Sequence, residues 1–173
     1  WNKNWFHFKR NNAKKRRRII LYKFKERRVW LFNLLNMSYK ENMTLDEILK
    51  EIKNAESIVV LTHESPDGDA VGSSTAMRLL LKSLGKSSDV IIPKFARIYN
   101  FLPGIEEVKT MSDVENYDLA ISLDCADVKR LAGKEYFENS KKTIVIDHHG
   151  SNNMYGDLNY VNPVAPACCE ILA

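Results

Sequence analysis

A chain of 173 residues is long enough for one ordinary domain with a real core, or for one domain with an appendage. Its 45% hydrophobic and 28% charged content fits a soluble globular protein, and no apolar run approaches the ~18 residues that span a bilayer. The net charge of +4 hides an uneven split: residues 1–36 hold 12 of the 26 Lys and Arg but only 1 of the 22 Asp and Glu, so a basic front end precedes an acidic body.

The front end mixes the Lys14-Lys15-Arg16-Arg17-Arg18 block with Trp1, Trp5, Phe6, Phe8, Tyr22 and Phe24. Such interleaving could make a nucleic-acid arm, with charge on phosphates and rings stacked on bases. The plainer reading is a leader outside the fold. The chain opens on Trp1 rather than Met, and Met37 and Met43 both stand just ahead of the first well-formed element. Residues 1–42 are therefore expected to be a basic leader, disordered or non-native, and residues 43–173 the domain. Val29–Met37 faintly resembles the apolar core of a signal peptide, but it is short, broken by Asn33 and Asn36, and lacks a small-residue cleavage pattern. Cys125, Cys168 and Cys169 give neither a disulfide framework nor a C-x-x-C spacing. Reduced interior thiols and a cytoplasmic location are expected.

In the body, Thr44-Leu45-Asp46-Glu47 is a capping box, and Leu45, Ile48, Leu49 and Ile52 give a helical stripe to about Asn54. A strand follows at Ser57–Thr62. It ends abruptly in His63-Glu64-Ser65-Pro66-Asp67-Gly68-Asp69, a turn held by Pro66 and Gly68. One imidazole and the carboxylates of Asp67 and Asp69 suit a hard or borderline divalent cation. A solvated loop with an N-cap is the alternative. Ala70–Leu84 reads as a helix stopped by Gly85, and its small opening residues (Ala70, Gly72, Ser73, Ser74) permit close approach of a loop or ligand. Asp89–Pro93 is a second strand, Asn100–Gly104 a loop, and Ile105–Met111 is ambiguous. The apolar run from Asp118 is a third strand ending in Asp124. Val128–Leu131 starts a turn or helix, Thr143–Ile146 is a fourth strand ending in Asp147-His148-His149, and Pro166–Ala173 opens a helix. Strands alternating with helical segments predict an α/β fold with a mostly parallel sheet flanked by helices. In such a sheet all carboxyl ends face one edge, where ligands bind. His63/Asp67/Asp69, Asp124 (with Asp127 nearby) and Asp147/His148/His149 would then meet on that edge as a metal site.

These residues carry a family resemblance. His63-x-x-x-Asp67-x-Asp69, the lone Asp124 after an apolar strand, and Asp147-His148-His149 with Ser151-Asn152 resemble the first three motifs of the DHH phosphoesterases. Within that family the pattern is similar to the nanoRNase/pAp phosphatase group, over about Thr44 to Ala173. The resemblance implies two Mn2+ ions at the sheet edge, His63 and Asp67 holding one, Asp69 and His148 the other, and Asp124 bridging both. His149 would touch the scissile phosphate and Asp147 would orient the histidines. Arg130, Lys129, Ser151 and Asn152 are candidate phosphate neighbours, with a solvated polar loop as the alternative. The implied activity is two-metal hydrolysis of short RNA oligonucleotides or adenosine 3′,5′-bisphosphate, without a membrane and with a homodimer as the candidate assembly.

The family's fourth motif, which supplies a further Asp ligand, and its C-terminal DHHA1 domain are not found in these residues. The chain is accordingly expected to be a C-terminally truncated fragment, weakly active or inactive alone. Cyclic-dinucleotide phosphodiesterase, single-strand exonuclease and inorganic pyrophosphatase are alternatives within the family. A nucleic-acid-binding module working through the basic arm, and a non-catalytic fragment, are alternatives from other classes.

Overall fold

The structure, a computed structural model, describes residues 42–173. The basic leader, apart from Asn42, lies outside the described residues.

The first helix, Leu45–Asn54 (α1), begins where the sequence places its capping box: Thr44 Oγ1 accepts from the Glu47 amide while Glu47 accepts from the Thr44 amide. It buries Ile48 and Ile52. The strand Ile58–Leu61 (β1) follows, then a 16-residue helix, Gly68–Ser83 (α2), and the strand Ser88–Ile91 (β2). Gly85 closes α2 at φ +72, with the Lys86 amide donating to Leu81 carbonyl at 2.9 Å. Residues 105–111, ambiguous in sequence, contain the 3-10 turn Ile105–Glu107, and Lys109 then pairs with the edge of β2 through Val90 and Ile92. The strand Leu119–Leu123 (β3), a 3-10 turn at Val128–Arg130, the helix Lys134–Asn139 (α3) and the strand Thr143–Asp147 (β4) come next. The strand Leu158–Val161 (β5) and the helix Cys168–Leu172 (α4) complete the described chain.

All five strands are parallel, in the order β2-β1-β3-β4-β5. The largely apolar runs of β1, β3 and β4 are buried at every position, as expected of strands covered on both faces. Alternate side chains divide between two cores. Ile58, Val60, Ile121, Leu123, Ile144 and Ile146 pack with α1, α2 and Cys168 of α4. Val59, Leu61, Ala120 and Val145 pack with Tyr117, Leu131 and Phe137 on the other face. Chain order reverses between β1 and β3, so the carboxyl ends of these two strands flank the crevice where open α/β sheets place ligands.

Sequence patterning did not anticipate α3 or β5. β5 is only partly buried along most of its length, so it lacks the continuous apolar run that marks the central strands. Its outer edge is occupied by Asn42 and Met43: the Met43 amide donates to Asn159 carbonyl, and the Asn42 side chain bonds both the amide and the carbonyl of Val161.

Candidate metal centre

Three adjacent strands deliver their ionisable residues to one edge. β1 runs into His63, β3 into Asp124, and β4 ends in Asp147 followed by His148 and His149, while the first turn of α2 brings Asp67 and Asp69. The start of the first loop is pinned from below: the Glu64 amide donates to Arg130 carbonyl at 2.8 Å and the Ala132 amide to Thr62 carbonyl at 2.9 Å. Asp67 is also the N-cap of α2, its Oδ1 accepting from the Asp69 and Ala70 amides at 3.0 and 3.1 Å. Capping therefore uses one carboxylate oxygen and leaves Oδ2 for a ligand role.

Asp124 stands at the centre. Its Oδ2 lies 4.0 Å from His63 Nε2, and its Oδ1 lies 3.4 Å from His148 Nε2 and 3.6 Å from His149 Nδ1. Two sets of potential metal donors, His63/Asp67/Asp124 and Asp124/His148/His149, each fall within 4.8 Å, and Asp124 is common to both. Its backbone adopts φ 53°, a left-handed conformation that Asp tolerates better than most residues. The side chain is 2% exposed and Oδ1 has no hydrogen-bond partner. Burial, reinforced by the nearby carboxylates Asp69, Asp67 and Asp147 and opposed by His149, pushes its carboxyl up to about 6. A buried carboxylate oxygen without a donor is costly. A divalent cation would neutralise it, and the mixed imidazole and carboxylate donors suit a borderline or hard metal.

The histidines are oriented for this. His63 is held below the usual imidazole range by burial, with Asp67 opposing and Arg130 and His149 reinforcing the effect. A neutral ring is the ligand form, and its Nδ1 is buried without a partner. His148 Nδ1 lies 3.3 Å from the Ala165 carbonyl. A carbonyl only accepts, so Nδ1 carries the hydrogen and Nε2 faces Asp124 and, at 3.6 Å, Asp69 Oδ2. His149 differs. Its Nδ1 is hydrogen-bonded to Asp147 Oδ1 at 2.8 Å, which leaves Nε2 uncommitted on a side chain that is 44% exposed. Burial works against its charged form, but the Asp147 bond and the surrounding carboxylates outweigh it and raise the imidazole. Asp147 is itself fully buried. Its Oδ1 also accepts the His148 and His149 amides at 2.8 and 3.2 Å, and Oδ2 accepts from Asn152 Nδ2 at 2.6 Å.

Asp69 reaches the cluster from the opposite side. Its two oxygens accept the Cys169 and Cys168 amides at 2.9 and 2.7 Å. Burial alone would raise this carboxyl, but the bonds from Cys169 and Cys168 outweigh it and hold it below its ordinary value. Among the expected substrate neighbours, Arg130, Lys129 and Ser151 are exposed, and Arg130 is close enough for its charge to act on His63. Asn152 is half-buried. Its side-chain amide is bonded to Asp147, to the Cys125 carbonyl and to the Met154 amide, so it braces the centre. Sequence reasoning also missed Tyr99, whose ring would lie 3.5 Å from a Cβ on Gly68, between Asp67 and Asp69. It missed the Cys168 and Cys169 amides and the Ala165 carbonyl as well. Main-chain donors and acceptors leave no mark in residue type, so only the fold reveals them.

The profile of the DHH family, N-terminal domain, matches residues 57–173. The chain belongs to the DHH family. Curated relatives of this DHH chain include the bifunctional oligoribonuclease and PAP phosphatase NrnA of Thermus thermophilus, 36% identical over 140 residues, covering 78% of this chain and 40% of that protein. The Bacillus subtilis protein of the same name is 28% identical over 129 residues, covering 73% of this chain and 40% of its own. These relatives set the chain with the oligoribonuclease/PAP phosphatase group of the family, and it spans about two-fifths of their length. Among solved structures, an exopolyphosphatase-related protein from Bacteroides fragilis superposes with a TM-score of 0.66 at 26% identity, over 73% of this chain and 41% of that one.

Proposed function

We propose that this DHH domain is the metal-binding half of a manganese-dependent phosphoesterase that acts in the cytoplasm on short oligoribonucleotides and on adenosine 3′,5′-bisphosphate. The observation that carries the reading is Asp124, a buried carboxylate with an unpartnered oxygen, standing between His63 and Asp67 on one side and His148 on the other. The names of the curated relatives supply the substrate classes.

His63 and Asp67 would hold one ion, Asp69 and His148 the second, and Asp124 both. Bound together, two such ions supply an activated water and neutralise charge on the phosphoryl oxygens. The protein's own groups do the rest. Asp147 holds His149 through Nδ1 and favours its protonated form, so Nε2–H can donate to a non-bridging oxygen of the scissile phosphate. The Cys168 and Cys169 amides keep Asp69 anionic and fixed. Arg130 and Ser151, exposed near the cluster, offer donors to another phosphate of the substrate. With the cations supplying the positive charge, an acidic body can still receive an anion.

The test is calorimetric titration of Mn2+ into the full 173-residue chain, wild type beside Asp124→Asn, followed by Mn2+-dependent turnover of a 5′-phosphorylated RNA dinucleotide, adenosine 3′,5′-bisphosphate and a cyclic dinucleotide. Binding of two ions that is lost in the variant, with turnover of the first two substrates, supports the proposal. Absent Mn2+ binding, or binding indifferent to Asp124, overturns it. RNA binding that is steep in salt and indifferent to Mn2+ would point to the basic segment.

A further inference from the structure

One side chain holds the turn that follows His149. Asn152 Nδ2 donates to Asp147 Oδ2 at 2.6 Å and to the Cys125 carbonyl at 3.1 Å, while Oδ1 accepts from the Met154 amide at 2.6 Å. These bonds use three of the four an asparagine side chain can make, and they tie the end of β3 to the end of β4. Asp147 is fully buried, and Asn152 is the partner of its Oδ2 among the described residues. Cys125 follows Asp124, and its carbonyl also accepts from the Tyr155 hydroxyl at 3.0 Å. Asp124 and Met154, at φ 53° and 49°, are the two non-glycine residues in the left-handed region among the described residues. Each therefore sits beside, or carries, a main-chain group that Asn152 holds. Backbone strain of this kind persists where surrounding bonds over-determine it.

We infer that Asn152 is a positioning residue of the metal centre. It braces Asp147 and the strand end carrying Asp124, so that His149 keeps its Nδ1–H on Asp147 and the Asp124 carboxylate stays between His63 and His148. The effect on His149 follows from the hydrogen bonds alone, whereas an effect on metal affinity rests on the proposed function.

Two substitutions separate bracing from turn formation. Asn152→Asp retains an oxygen for the Met154 amide, as an Asx turn requires, but replaces the donor facing Asp147 with a like-charged acceptor. Asn152→Ala removes both. Asn153→Ala, at an exposed neighbour, is the control. The first readout is the 15N spectrum of the His149 ring in the metal-free full chain at mildly alkaline pH, with the amide spectrum showing that each variant is folded. Wild type and control should show the single Nδ1–H tautomer, and both Asn152 variants a mixture. The second readout is Mn2+ affinity by calorimetry, which should fall about 10-fold or more in both variants, the range typical of groups that orient metal ligands. A single Nδ1–H tautomer in folded Asn152→Asp, or in folded Asn152→Ala should the former not fold, overturns the inference whatever the metal does. Loss of the tautomer in a protein whose wild type binds no Mn2+ would support the brace and refute the metal reading.

Discussion

Replacing Asp124 by Asn should stabilise the metal-free protein while abolishing its stabilisation by metal. Asn preserves the shape of the side chain and accepts the left-handed φ of 53° that Ala would resist. The carboxyl is raised by burial from 3.8 to about 6. The folded state thus binds this proton more tightly than the unfolded one, and the associated stability is present below about pH 4 and lost as pH rises through about 6. Such a shift corresponds to roughly 3 kcal/mol, of which relaxation around the charged carboxylate would leave about 1–2 kcal/mol. Near pH 8, metal-free Asp124→Asn should therefore melt higher than wild type by about 3–8 °C for a domain of this size, and the gap should shrink as pH falls through about 6 and close below about pH 4. Mn2+ at about 100 times its dissociation constant should stabilise wild type by roughly 2.7 kcal/mol and the variant by little. Metal should thus invert the order of the two melting temperatures. Thermal unfolding by circular dichroism, with and without Mn2+, at both pH values, is the assay. A metal-free variant less stable than wild type near pH 8, or equal Mn2+ stabilisation of both proteins, would refute the reasoning.

Mn2+ affinity should weaken as pH falls below about 6, because the ion must then displace the proton held by Asp124; calorimetry in buffers of different ionisation enthalpy would show a released proton on the acid side and none near pH 8. Asp147→Asn should weaken Mn2+ binding by about 10-fold or more and cut kcat on a 5′-phosphorylated dinucleotide by at least about 100-fold, since a misoriented imidazole is the main loss in such pairs. Gly156→Ala should destabilise the fold by about 1–3 kcal/mol, because a Cβ there would lie 2.8 Å from the Leu158 carbonyl oxygen and 3.0 Å from Val145 Cγ2; an unchanged urea midpoint would contradict it.

The parts of this architecture that were legible in the sequence are those whose physics is local. The Thr44–Glu47 capping box reads directly, because both partners are side chains three residues apart. β1, β3 and β4 read from short, largely apolar runs, and each leads into an ionisable residue where a parallel sheet would expose it. The short helix Lys134–Asn139 did not read, having one buried residue, Phe137, and an N-cap glycine in the left-handed conformation with no side-chain bond. β5 escaped because it is only partly buried along most of its length and so carries no continuous apolar run. Asn152 was visible as a polar residue near the histidines, but its bond to the Cys125 carbonyl, in the loop after β3, was not. The sequence pattern names the groups that a site can use and leaves their partners to the tertiary structure.

Sheet register explains why Asp124, rather than any other acid of the cluster, is shared between the two donor sets. β3 lies between β1 and β4, with Leu61 opposite Ser122 and Leu123 opposite Ile146. Continuing that register by one or two residues sets His63, Asp124 and Asp147 in one row across three strands, with Asp124 in the middle. Strands about 4.8 Å apart bring His63 on one side, and the histidines that follow Asp147 on the other, within reach of Asp124, and the middle position alone has a neighbour on each side. A slip of one residue at either ladder would turn the buried set of the moving strand to the other face of the sheet. Both faces are packed, by α1, α2 and α4 on one side and by Phe137 and Leu131 on the other. The two cores thus set the geometry of the centre, and the uncompensated carboxylate of Asp124 costs stability that a well-packed sheet can bear until a metal ion relieves it.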